Sequence, residues 1–208
     1  MESAPNPSLL SVRVKMTITV LLYFCFFTTE LSAMMAPARL ELAQLIGSDF
    51  RGITFAQSGF LAGSVVGSVF TGWIFCRFNR QIGLVVSLAF AAATMFASPL
   101  TGSLTMFTFN MIWSGVANAG IDVATNAWLL EIWQEAANPY MQGLHFSYAF
   151  GQTLAPLFVE PFLSSSYNSS NGSCLTNLTP GKKDSRIIIP LGISALFLAM
   201  SSASFIVI

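Results

Sequence analysis

The chain has 208 residues, of which 54% are hydrophobic and only 9% charged, with 9 basic and 9 acidic side chains. An ordinary soluble domain carries roughly a quarter charged residues, and a disordered chain lacks this apolar content. So much apolar surface cannot be hidden inside a soluble body of this size, and the balanced charge offers no basic patch for nucleic acid, which leaves a membrane-embedded helical protein.

At roughly 20 apolar residues per crossing, the length accommodates about six helices. The expected fold class is an all-α membrane protein with six transmembrane helices. Residues 1–15 read as a polar cytosolic tail, with Arg13 and Lys15 just before the first apolar run. That run is longer than a secretory h-region and has no clear small-residue cleavage site, so it reads as a retained signal anchor. The expected spans are 16–38, 53–75, 82–100, 104–129, 140–163 and 187–208. Cys25, Cys76 and Cys174 fall in separate regions without ligand spacing, so neither a metal site nor a disulfide framework is expected.

Span 2 carries Gly59, Gly63 and Gly67 at four-residue spacing, and span 5 carries Gly143, Ser147, Gly151 and Ala155. Small residues on one stripe let helix backbones approach closely in lipid, so both read as packing faces. Trp128, Trp133 and Tyr140 read as an inner aromatic belt. Glu131 and Glu135 sit at the inner edge, either solvated or paired with Arg77 or Arg80.

The polar segment 164–186 sets the orientation. It holds the sequons Asn168-Ser169-Ser170, Asn171-Gly172-Ser173 and Asn177-Leu178-Thr179. Their clustering marks a glycosylated extracellular or luminal loop, with Asn168, Asn171 and Asn177 as acceptors and the N-terminus cytosolic. The count of bases does not reinforce this, because Arg39, Arg51, Lys182, Lys183 and Arg186 fall outside. The sequons and the flank of the first span outweigh it. The expected location is the plasma membrane. Span 6 stops at Ile208 without a polar flank and reads as cut, so a C-terminal half is expected to be missing.

Ionisable groups inside a bilayer are costly and by default mark function. Asp122 lies deep in span 4, and Asn118, Asp122, Thr125 and Asn126 fall within about a third of the helix circumference. Such a stripe suits hydrogen bonding to a polyhydroxylated ligand, and its carboxylate suits a cation or a proton. A seam of hydrogen bonds between helices is the alternative. Glu30 lies in the outer half of span 1, as a coupling carboxylate or as a side chain reaching the outer interface. Spans 1 and 4 are equivalent first helices of two three-helix repeats, so acids in both suit an inverted-repeat transporter. His145 reads as a hydrogen-bonded structural residue or a participant in transport. Glu160 reads as interfacial. Gln142 would add a neutral hydrogen bond to the site.

The segment Gly72-Trp73-Ile74-Phe75-Cys76-Arg77-Phe78-Asn79-Arg80 resembles the signature loop between helices 2 and 3 of the major facilitator superfamily, G-x-x-x-D-R-x-G-R. Gly72, Arg77 and Arg80 match. Cys76 replaces the Asp, which puts that charged gate contact in doubt. Asn79 replaces the Gly, on the expectation that Asn sustains a left-handed turn. Residues 119–126 resemble the A-G-L-E-T-A-A-N helix of the fucose-permease branch. Residues 128–133 and 141–147 are similar to an animal group of that branch, the sodium-dependent glucose transporters or superfamily domain-containing protein 4 group. The helix 1 Asp of the bacterial permeases falls on Ala33, so its role does not pass cleanly to Glu30.

The resemblance implies the N-terminal half of a twelve-helix fold, built as 3+3 inverted repeats. It implies a secondary active transporter of hexose-type sugars, glucose or fucose-like, driven by Na⁺ or H⁺ through alternating access. Substrate binding would fall to Asp122, Asn126, Asn118 and Gln142, coupling to Asp122 and Glu30, and gating to Gly72, Arg77 and Arg80. No cofactor beyond the coupling ion is implied. The partners would be a sugar, the bilayer, and a missing half or second copy. An enzyme is not expected, since no G-x-S-x-G elbow appears. The alternatives are a non-transporting truncated or accessory membrane protein, or a transporter of another small polar solute.

Overall fold

The structure, a computed structural model, describes residues 11–75, 77, 79–163 and 186–206. Among the described residues the chain is helical, with no strand. The long elements are α1 (Val12–Glu30), α3 (Phe50–Phe75), α4 (Arg80–Ala97), α5 (Leu104–Trp133), α6 (Ala137–Val159) and α7 (Ile188–Ile206). A short helix α2 (Arg39–Ile46) joins the first two. The expected extracellular loop, with Asn168, Asn171 and Asn177, lies outside the described residues.

Local chemistry sets the helix ends. Ser11 caps α1 by accepting from the Val14 N–H at 3.4 Å, and Ser103 caps α5 by accepting from Met106 N–H at 3.3 Å. Gly47 ends α2 at φ +70°, with Ser48 N–H donating to Ala43 O at 2.9 Å and Gly47 N–H to Gln44 O at 3.3 Å. That is the double closure favoured where glycine supplies a left-handed residue. Asn79 corrects the left-handed expectation. Its backbone is extended, φ −63° and ψ 126°, and its side chain accepts from Gln81 N–H at 3.0 Å. It starts α4 as a cap, because a short acceptor side chain satisfies an N–H that has no partner within the helix.

Among the described residues, four segments are long and apolar enough to cross a membrane: Val12–Met35, Phe50–Phe75, Arg80–Leu100 and Ile188–Ile206. The chain is a multi-pass membrane protein. α5 and α6 have the length, at 30 and 23 residues, but polar side chains such as Asn110, Asn118, Asp122, Gln142, His145 and Gln152 dilute their apolar character. Large apolar side chains such as Phe55, Val69 and Phe146 point outward, as lipid-facing surface does.

The main helix pairs are α3 with α5, α4 with α7, α4 with α5, and α1 with α6. Both small-residue stripes sit at such contacts. A side chain at Gly63 would run into the Ile112 carbonyl of α5, and one at Gly115 into the Phe60 carbonyl of α3. On α6, a Cβ at Gly151 would lie 2.6 Å from the Phe27 carbonyl oxygen of α1. Backbone touches backbone because no side chain intervenes, and dispersion contacts replace the hydrophobic drive that lipid removes. Polar groups buried between helices find partners: Thr28 Oγ1 and Ser201 Oγ are 2.9 Å apart, joining α1 to α7, and Asn110 Nδ2 donates to Thr94 O at 3.0 Å.

Candidate functional site

A cavity of about 370 Å³ lies where α1, α3, α5 and α6 converge. That is near the lower end of the range for small-molecule sites, so it suits one small solute. Each helix presents residues three or four apart, which stack on one face. α1 contributes Phe26, Thr29 and Glu30. α3 contributes Ser64 and Ser68, each one residue past a glycine of its packing stripe. α5 contributes Asn118, Ala119, Ile121 and Asp122, and α6 contributes His145 and Tyr148.

Glu30 closes the α-helical part of the first span, and residues Leu31–Met35 continue as a 3₁₀ helix. A change of helix type inside a span often accompanies a functional position. Glu30 lines the cavity. Asp122 stands on another helix of the same cavity, within electrostatic reach of both Glu30 and His145. No Lys or Arg is on the wall, so no fixed cation balances the two acids. Among the described residues, no group of three His, Cys, Asp or Glu is placed to hold a metal ion.

The four-residue stripe on α5 separates into parts. Asn118 and Asp122 are on the wall. Asn126 is not, and its side-chain amide donates to Asp122 Oδ1 at 2.9 Å and to Asp122 O at 2.8 Å. Thr125 is fully buried and donates to Ile121 O at 2.5 Å, so it serves the helix. Gln142 is exposed and not on the wall. Thr29, Ser64, Ser68 and Tyr148 are wall residues that the sequence reading did not single out. The i, i+4 spacing of Ser64 and Ser68 beside the glycine stripe was the available signal. Tyr148, one turn after His145, was a second.

The expected gating residues lie at one end of the bundle. Arg80, which opens α4, pairs with Glu131 near the end of α5, selecting one of the partners foreseen for Glu131. The Arg77 guanidinium sits 5.5 Å from the Trp73 ring centroid, a cation–π contact. A Cβ at Gly72 would meet nothing within 4 Å, so this glycine is not demanded by crowding. At the same end Trp133 stacks on Tyr140, with centroids 3.7 Å apart, and its Nε1 donates to Thr19 Oγ1 at 2.8 Å. Tyr23 Oη donates to Tyr140 O at 2.7 Å, so α1, α5 and α6 are tied together there.

No family model matches the chain. Individual relatives do. The chain is 31% identical over 128 residues to sodium-dependent glucose transporter 1 of Xenopus laevis, covering 62% of this chain and 26% of that protein. It is 25% identical over 198 residues to sodium-dependent glucose transporter 1A of Mus musculus, covering 90% and 46%. It is 31% identical over 179 residues to major facilitator superfamily domain-containing protein 4A of Danio rerio, covering 79% and 33%. The chain thus spans less than half the length of these relatives. Its similarity is to the sodium-dependent glucose transporter 1 and domain-containing protein 4 group of the major facilitator superfamily, over part of their length.

Proposed function

We propose that this chain supplies the solute- and ion-binding wall of a secondary transporter for hexose-type sugars, glucose or fucose-like, coupled to Na⁺ or H⁺ by alternating access. The observation that carries this reading is the meeting of Glu30 and Asp122, from two different helices, in one cavity whose described wall holds no Lys or Arg. Acids at membrane depth persist where they bind a cation or a proton. The names of the relatives, sodium-dependent glucose transporters, point the same way for the solute and the ion.

The helix pairing supports a 3+3 repeat. Numbering the six long helices in order, the main pairs are second with fourth, third with sixth, third with fourth, and first with fifth. Exchanging the first three helices with the last three maps first with fifth onto second with fourth and keeps third with sixth, while third with fourth maps onto the smaller contact of first with sixth. An inverted repeat would produce that correspondence, with Glu30 and Asp122 on equivalent first helices. In this reading the N-terminus is cytosolic, the membrane is the plasma membrane, and Asn168, Asn171 and Asn177 carry glycans outside.

Alternating access also needs an opposing wall, supplied by a second bundle or a second copy. The alternative of a non-transporting accessory protein draws on the partial coverage of the relatives. Uptake of labelled D-glucose into proteoliposomes, under a Na⁺ or proton gradient, tests both. The 208-residue chain is compared with a full-length relative, each with and without Asp122→Asn. Ion-coupled uptake that survives Asp122→Asn refutes the carboxylate's role. Uptake by the 208-residue chain alone removes the accessory reading.

A further inference from the structure

The hydrogen-bond polarity of the cavity narrows what can bind there. The three aliphatic hydroxyls on its wall, Thr29, Ser64 and Ser68, use their protons within the protein. Thr29 donates to Cys25 O at 2.8 Å, Ser64 to Phe60 O at 2.9 Å, and Ser68 to Val65 O at 2.9 Å. In each case the hydroxyl oxygen keeps lone pairs for a ligand while its hydrogen is occupied. When ionised, Glu30 and Asp122 are acceptors only.

The neighbouring amide adds nothing to the donor side. Both hydrogens of the Asn126 side chain are directed at Asp122. Lys, Arg and Trp are the side chains that donate without accepting, and none is on the wall. Asn118, His145 and Tyr148 bring donors, but each brings an acceptor as well.

We infer that the cavity selects solutes by the hydrogen-bond donors they carry: polyols whose hydroxyls donate, best of all with an ammonium group, and not anions or acceptor-only analogues. This deepens the transporter reading and rests on it for the hexose. The physical reason is that an acceptor facing an acceptor leaves both unpaired, whereas a hydroxyl proton aimed at a carboxylate makes a charge-assisted bond. Phe26 and Ala119 supply apolar wall for the C–H faces of such a solute.

Replacement of single hydroxyls separates donation from acceptance. A deoxy sugar loses donor and acceptor together, whereas a deoxyfluoro sugar loses the donor and keeps a weak acceptor. Binding to the purified 208-residue chain in nanodiscs, by titration calorimetry, is compared for D-glucose, its deoxy and deoxyfluoro analogues, glucosamine, glucuronate and tris(hydroxymethyl)methylammonium. The expected result is that, for at least two ring positions, the deoxyfluoro analogue loses as much affinity as the deoxy one, about tenfold or more for a hydroxyl that donates to a carboxylate. Glucosamine binds more tightly than D-glucose, and glucuronate does not compete.

Deoxyfluoro analogues that bind like D-glucose, or glucuronate that binds as tightly as D-glucose, overturn the inference. If D-glucose fails to bind but the hydroxylated ammonium binds, the hexose reading falls and the donor rule stands. If neither binds, both fall.

Discussion

The side-chain amide of Asn126 donates twice to Asp122, at 2.9 Å to the carboxylate and at 2.8 Å to the main-chain oxygen, one helical turn apart on α5. One oxygen of the Asp122 carboxylate is thereby held, and the other is left for the cavity. In the proposed transporter, Asn126 acts on a solute through Asp122. Asn126→Ala frees the carboxylate to change rotamer and is expected to weaken solute binding about tenfold, the weight of one hydrogen bond to a charged group. Asn126→Ser, which restores a donor, is expected to recover part of the loss. Calorimetry with D-glucose or the hydroxylated ammonium checks both variants. Equal loss in the two variants would assign Asn126 a packing role instead.

Glu30 and Asp122 face the same cavity from α1 and α5. If they share a coupling cation, Glu30→Gln and Asp122→Asn each raise the half-saturating cation concentration, and the double variant does no worse than the more damaging single one. Groups that act as a unit are not additive. Cation titration of solute binding reads this, and fully additive effects would show two independent sites.

The α3–α5 contact depends on backbone approach at Gly63 and Gly115. Gly63→Val places a branched side chain against the Ile112 carbonyl and must separate the helices. The expected destabilisation is on the order of 1–3 kcal/mol, as for overpacking generally. Gly72→Ala, with open space at the Cβ, is the control and is expected to be near neutral. Thermal unfolding in detergent compares the two. A Gly63→Val protein as stable as the parent would mean that the stripe is not a packing face.

Gln134 joins α5 to the following 3₁₀ turn at φ 47° and ψ −119°, the one non-glycine residue with positive φ among the described residues. Such a backbone costs roughly 1–3 kcal/mol for a residue with a Cβ. Gln134→Gly is therefore expected to stabilise the chain and Gln134→Val to destabilise it. A melting temperature unchanged by either substitution would contradict this strain.

Ser194 on α7 is buried, 1% exposed, and its hydroxyl has no partner. Replacing an unsatisfied hydroxyl by a methyl group removes a desolvation cost. Ser194→Ala is expected to be neutral or stabilising by about 1 kcal/mol. Ser201→Ala, which breaks the 2.9 Å contact with Thr28, is expected to destabilise. The order of the two melting temperatures is the test.

Much of this was legible along the chain. Low charge and high apolar content state that the surroundings are lipid, because water could not dissolve such a surface. The glycine spacing states which helix faces pack, because close approach requires the absence of a side chain and that absence is written in the residue. The depth of Asp122 marks it for the same kind of reason: a carboxylate far from water carries its own cost wherever its partners lie.

Other features belong to three dimensions. Whether Glu30 lined a cavity depended on where α5 and α6 lie against α1. Periodicity put Thr125 and Asn126 on the same stripe as Asp122, yet one donates to its own helix and the other holds its neighbour. Spacing specifies a face, but the choice of hydrogen-bond partner is made among all the groups that packing brings within about 3 Å. The contribution of Ser64, Ser68 and Tyr148 had the same origin. A cavity is shared by several helices, and no single helix carries its outline in its own sequence.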